Sequence, residues 1–275
     1  MDAQVLLSAD PRLHVVSLVL YAIGAALAVT GAVLRRERLA ELARWSAVGG
    51  LVVQGLGLLA RWIGSGHGPY VSRYELLSAY AWVSVLIWLV WSARDRRLRD
   101  FGLVVLPVAL LLIGVGLYTG PEVRVLPATF AGIWLVLHVS FYFIAFATGL
   151  TAFGASLFYL VPESKLAGTR LPKRPELDSI AYRAAGLAFA FWGVGLLTGA
   201  IWAYYSWGRF WGWDPVETWS LITWLLYGLY LHLRRFYGWK DRRAALLLIL
   251  CYGLALLSLF GTALFTSTVH SEYFS

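Results

Sequence analysis

Apolar residues run along this chain in long, nearly unbroken blocks separated by short polar punctuation, with neither the two-residue alternation of a half-buried strand nor the single stripe of a surface helix. Eight blocks stand out, at about 14–34, 45–63, 75–92, 101–118, 130–161, 181–206, 217–236 and 244–266. Most run roughly 18 to 25 residues, which at 1.5 Å per helical residue is enough to cross a hydrocarbon layer about 30 Å thick. The pattern predicts an all-α polytopic membrane protein of about eight transmembrane helices, residues 1–275 forming a single integral membrane domain. Composition agrees: 60% of the 275 residues are hydrophobic, 14% are charged and the mean hydropathy is +0.69, too little polar surface to close around one soluble core. The first block has no small-residue cleavage site after it and follows Asp2, Asp10 and Arg12, so an uncleaved first span is expected. Cys251, the sole cysteine, lies inside the last block and reads as a small core residue. No internal repeat is evident. The long polar connection 162–179, with Pro162, Pro172 and Pro175, reads as an inner loop.

The charges then orient the spans. Arg35, Arg36, Arg38 and Arg44 follow the first block, and Arg94, Arg96, Arg97 and Arg99 follow the third. Lys165, Arg170, Lys173 and Arg174 follow the fifth; Arg234, Arg235, Lys240, Arg242 and Arg243 follow the seventh. That places 17 of the 23 basic residues on one side, against Arg12, Arg61, Arg73, Arg124 and Arg209 on the other, with Arg183 at the start of block six. The positive-inside rule puts both termini on the outer, periplasmic side. The net charge of +8 is then mostly topology, and a nucleic-acid partner loses its support.

On the outer side falls the connection between blocks six and seven, within "WGRFWGWDPVETWSLITW", Trp207 to Trp224. Five tryptophans in eighteen residues suit either an interfacial aromatic belt or a platform for a flat ligand. Trp207, Trp211 and Trp213 are the platform candidates, with Gly208 and Gly212 allowing close backbone approach. Asp214, Pro215 and Glu217 match a helix N-cap, a proline in the first turn and a third-position acid, so they read first as the start of span seven.

Histidines give this surface a chemistry. His138 lies about eight residues into span five and His270 shortly after the last block, both towards the outer side. Such a pair suits the two axial positions of a haem iron; a histidine bonded to a neighbour fits either residue alone equally well. His232, about 22 Å into span seven, falls in the inner half, where it suits a second haem whose other ligand comes from a partner. His14 reads as interfacial, with no assigned role.

The tryptophan-rich stretch resembles the WWD signature of haem-handling proteins in cytochrome c maturation, and the chain is identified as a member of the CcsA (ResC-like) family. The resemblance extends through "AYRAAGLAFAFWGVGLLTGAIWA", "YLHLRRFYGWKDRRAALL" and the terminal "VHS", and more loosely through "LHVSFYFIAFA" and "GHGPYVSRYELLSAYAW". It implies a haem lyase (cytochrome c synthase) subunit that transports haem b (iron protoporphyrin IX) and presents it for thioether attachment to an apocytochrome c with a CxxCH motif. It also implies a CcsB/ResB-type membrane partner and a bacterial cytoplasmic membrane with the site on its periplasmic side; a thylakoid membrane fits less well. By position, His138 and His270 become ligands of the outer haem iron and His232 a ligand of the intramembrane one. Trp207, Gly208, Trp211, Trp213, Asp214 and Glu217 become haem-contacting positions in the outer loop 207–218. Upstream the chain departs from the family's typical "GHFPLSNLYES", carrying Gly68, Tyr70, Val71, Ser72 and Arg73, so His67 is read as structural. The alternatives are a CcmC-like module that passes haem to a chaperone, against which His232 argues, and a non-haem transporter or structural subunit.

Overall fold

The computed structural model describes residues 2–130, 132–162 and 171–261. The described residues form eight long helices, two short 3-10 turns and no strand: α1 (Ala3–Leu34), α2 (Glu37–Ser65), α3 (Arg73–Arg94), α4 (Gly102–Thr119), α5 (Ile133–Leu160), α6 (Arg174–Trp207), α7 (Pro215–Phe236) and α8 (Asp241–Gly261). Seven are long and apolar enough to cross a membrane. The exception is α7, where Trp219, Trp224, Tyr227, Tyr230 and His232 replace the aliphatic side chains of the other helices. The protein is an integral membrane protein. It divides into two compact units: α1–α4, and α5–α8 with the 3-10 turn Ala128–Phe130.

In the first unit α1 and α2 pack antiparallel through a seven-residue repeat that the linear pattern hid. An added Cβ on Gly50, Gly57 or Gly64 would lie 2.4, 2.9 or 2.8 Å from Tyr21, His14 or Leu7 respectively. Three glycines seven apart thus receive three side chains seven apart, the small-residue approach that lets membrane helices pack by contact alone. Helix α3 begins with a capping box, Ser72 accepting from the Glu75 N–H and Glu75 reaching back to the Ser72 N–H.

Between α1, α2 and α3 lies a buried polar cluster. Arg61, 1% exposed, donates from Nε to Glu75 Oε1 at 2.8 Å and from Nη1 to Asp10 Oδ2 at 3.3 Å. Its remaining donors reach the carbonyls of Pro121 at 2.6 Å and Glu122 at 2.9 Å. Asp10 also accepts from Tyr74 at 3.0 Å and faces His14 Nδ1 at 2.8 Å, while His14 Nε2 meets the Ser78 hydroxyl. This cluster explains why α1 begins at Ala3 rather than near residue 14. Asp10, Pro11 and Arg12 look like a boundary, but Asp10 is neutralised inside the unit, so the helix runs on through Pro11. His14 is likewise fully buried rather than interfacial. His67 has both ring nitrogens against carbonyls, Gly68 at 2.9 Å and Arg124 at 3.3 Å, as a structural residue does.

The second unit is held by antiparallel α5 and α6, with α7 and α8 packed against them. Tyr142 meets the Ser220 hydroxyl, which also accepts from Trp192 Nε1 at 3.0 Å. Trp224 stacks on Phe189 at 4.9 Å and donates to its carbonyl at 3.1 Å. At the opposite end Arg234 forms a fork with Asp178, Nη2 to Oδ2 being 2.6 Å. Pro175, read from sequence as part of a polar loop, instead occupies the first turn of α6, where its missing N–H costs nothing.

Arg61→Ala removes the guanidinium shared by Asp10 and Glu75 and strands two buried carboxylates. We expect a loss of about 3–5 kcal/mol, read as a lowered thermal unfolding midpoint in detergent, with Arg61→Lys losing less because it keeps the charge but not the fork.

Candidate functional site

One end of the second unit gathers the start of α5, the end of α6 and the loop into α7. His138 projects from the second turn of α5 onto α6, and only glycine at 199 admits it: a Cβ there would lie 2.4 Å from His138 Nδ1. The close approach lets Nδ1 hydrogen-bond the Gly195 carbonyl at 2.8 Å. A carbonyl only accepts, so Nδ1 is the donor in this contact. Donation of one ring N–H to a backbone carbonyl is the arrangement that orients a metal-ligating histidine and raises the basicity of its other nitrogen.

Aromatic rings surround this imidazole. Tyr142 meets it edge-on at 4.7 Å, and Trp202 lies nearly parallel to it at 6.0 Å and 21°. Trp202 is pinned by its N–H to the Thr129 carbonyl at 2.8 Å and packs against Phe130 and Trp207, the latter at 4.8 Å. A ring wall therefore runs from His138 through Trp202 to Trp207, the first residue of the predicted platform. Sequence reasoning passed over Trp202, which sits in an apolar helix with no local signal. Its spacing from Trp207, five residues along α6, was the one available hint.

The loop itself is rigid by construction. Gly208, at φ 73°, ends α6 in the left-handed region, its N–H bonding the Tyr204 carbonyl at 2.8 Å. At the other side Glu217 Oε2 accepts from the N–H groups of Gly212 at 2.8 Å and Asp214 at 3.3 Å, while Asp214 Oδ1 accepts from Val216 at 2.9 Å. Asp214 and Glu217 thus form a capping box. The box holds Trp213 at φ 57°, a positive value uncommon outside glycine, with its ring 71% exposed. Trp211 meets Trp213 edge-on at 5.8 Å. The indole nitrogen of Trp211 is shielded from solvent and finds no hydrogen-bond partner among the described residues.

His232, another predicted site residue, stands apart. His232 is exposed on α7, about 26 Å along the helix from Pro215, with Phe236 at 4.8 Å and Tyr237 at 5.8 Å. His270 lies outside the described residues.

Comparison with known proteins places the chain. Residues 70–270 match the family described as Cytochrome C assembly protein, a span that contains His138, the loop 207–214, His232 and His270. The chain belongs to that family. It is 32% identical over 229 residues to the cytochrome c biogenesis protein CcsA of Chlamydomonas reinhardtii, covering 79% of this chain and 64% of that one. It is 30% identical over 265 residues to CcsA of Synechococcus elongatus, covering 77% of this chain and 81% of that protein. The chain thus spans just under two thirds of the algal relative and most of the cyanobacterial one. Among solved structures it matches the cytochrome c haem lyase CcmF with a TM-score of 0.71 at 17% identity, over 94% of this chain and 47% of that one. The shared helical fold extends beyond the family match at Tyr70, into the region of α1 and α2.

The capping box generates a direct expectation. Glu217→Ala releases the N–H groups of Gly212 and Asp214, at a cost of roughly 0.5–2 kcal/mol. Amide exchange should accelerate about tenfold at 212–214 and stay unchanged in the middle of α7; Glu217→Gln, which keeps an acceptor, should show a smaller effect.

Proposed function

We propose that this chain acts in cytochrome c maturation by holding haem against the tryptophan loop, with His138 and His270 as the two axial ligands, and presenting it to an apocytochrome. The observation that carries the reading is the His138–Gly195 hydrogen bond, which commits Nδ1 to the backbone as in a metal-ligating histidine, in a ring walled by aromatic side chains. The wall Trp202–Trp207 and the exposed Trp213 offer flat apolar surface of the kind a porphyrin buries. The donor offered is an imidazole, which suits haem iron.

Haem, as the substrate, supplies two vinyl groups, across each of which one thiol of the apocytochrome CxxCH adds, with a C–S bond formed and the thiol hydrogen passed to the second vinyl carbon. The residues of this chain position and shield. His138 holds the iron side through Nε2 while Gly195 fixes its tautomer, the ring wall excludes water, and the capping box keeps the loop in place. The CxxCH histidine then replaces one protein imidazole, which releases the product. No residue here is assigned as a general base.

The same reading orients the chain with the 207–214 loop and both termini outside, as the charge asymmetry supports. It gives His232 an intramembrane haem on the way from the inner side, the second ligand coming from a CcsB/ResB-type partner. Exposure of His232 on the surface of α7 agrees with a ligand completed by another chain. Haem b as the species carried, the lyase role and the bacterial cytoplasmic membrane belong to the same proposal.

Expression with the partner and recording of the visible spectrum test it. Wild type should co-purify with haem, and His138→Ala and His270→Ala should each lose most of it; added imidazole should restore haem to His138→Ala by filling the vacated space. Gly199→Ala, which pushes a methyl onto the His138 ring, should weaken haem retention without removing either ligand. Absence of haem from every preparation, with and without the partner, would sink the reading.

A further inference from the structure

The outer loop holds one donor unpartnered among the described residues and one exposed cation, and spends its acids on itself. Trp211 Nε1 is shielded from solvent and has no acceptor among the described residues, an arrangement that costs free energy unless something outside the chain completes it. Two residues earlier, the exposed Arg209 lays its guanidinium across Gly212: a Cβ there would lie 2.7 Å from Cζ, 2.8 Å from Nη2 and 2.9 Å from Nε. The acids nearest in sequence are committed to the backbone, Asp214 to the Val216 N–H and Glu217 to those of Gly212 and Asp214. In its second unit, Arg209 is the sole basic residue among those that the charge pattern assigns to the outer side. A group that would answer both an indole N–H and a guanidinium is an oxyanion.

The geometry points to a carboxylate-binding subsite made by Arg209 and Trp211 Nε1, which selects a flat macrocycle bearing an acidic arm over the same ring without one. Resting on the haem reading above, it gives the loop a second task beyond apolar stacking. The tryptophan faces accept the ring, and the indole N–H with the guanidinium accepts a propionate, setting which edge of the macrocycle faces the loop. Because the loop is already fixed at Gly208 and by Glu217, little ordering opposes that selection. A phospholipid headgroup offers the same oxyanion chemistry, so the test must tell the two apart.

The full chain, purified with its partner in a non-ionic detergent free of phospholipid and stripped of haem, is titrated with haemin and with haemin dimethyl ester, followed by the Soret band. Wild type should bind the acid about tenfold more tightly than the ester, the scale of one charge-assisted hydrogen bond. Arg209→Gln should reduce that preference towards one while leaving ester affinity in place, and Trp211→Phe, which keeps an aromatic face and removes the N–H, should reduce the acid-to-ester ratio likewise, whatever it does to overall affinity. A wild type that binds both porphyrins equally, or a double variant that keeps the preference, overturns the subsite while the haem reading stands. Binding of neither porphyrin overturns both. Binding of phosphatidylglycerol that depends on Arg209 and Trp211, with no acid preference among porphyrins, assigns the oxyanion to lipid and overturns the proposal.

Discussion

The second unit depends on one hydrogen bond, from His138 Nδ1 to the Gly195 carbonyl. In a hydrocarbon setting an imidazole has no water to satisfy it, so the helix that carries it must approach an acceptor closely. Glycine at 195 and 199 makes the approach sterically possible, since a Cβ at Gly195 would collide with Tyr142 at 2.7 Å and one at Gly199 with His138 at 2.4 Å. The backbone contact of α5 and α6, the tautomer of His138 and the position of Trp202 against it are consequences of that fit. Any side chain at these two glycines separates the helices and moves the imidazole, the wall and the start of the loop together.

The first unit meets the same demand with charge. Asp10 and Glu75 are buried beside Arg61, whose fork also satisfies two backbone carbonyls, so each carboxylate is paired and no guanidinium donor in that direction is wasted. A network of this kind tolerates replacement as a whole far better than removal of one member. It also explains the extent of α1 and α3: residues that look like helix boundaries in the linear chain are internal once their partners are counted.

What could be read from the chain follows the range of the interactions involved. Long apolar blocks announced the helices because burial in lipid is a property of each segment alone, and the α7 start at Asp214, Pro215 and Glu217 was legible because capping acts within four residues. His138 was singled out by its depth. Trp202, Gly195 and Gly199 were not, because their meaning lies in the helix opposite, and sequence spacing does not say which face meets which. The same holds for Asp10, His14 and Arg61, separated by up to 51 positions yet in one cluster. The seven-residue glycine spacing at 50, 57 and 64 was visible in principle, but it becomes a packing motif only when Leu7, His14 and Tyr21 are seen to answer it in antiparallel register. The start of α7, the one described long helix that falls short of the apolar length needed to cross a membrane, was marked by its cap.

A loop of seven residues, 208–214, joins two helices here, and its two ends are fixed by different means. Gly208 turns the chain out of α6 through a left-handed conformation; Glu217 reaches back from α7 to hold the N–H groups of Gly212 and Asp214. Fixing both ends leaves little freedom between them, so the positive φ of Trp213 is imposed by its surroundings rather than sampled. That geometry exposes Trp213 and leaves the Trp211 donor without a partner among the described residues, neither of which a loop folding only for its own stability would retain. A rigid surface with one exposed ring and one waiting donor has the properties expected of a site shaped in advance for a flat, acidic guest, because the entropy of ordering has been met by the fold before the guest arrives.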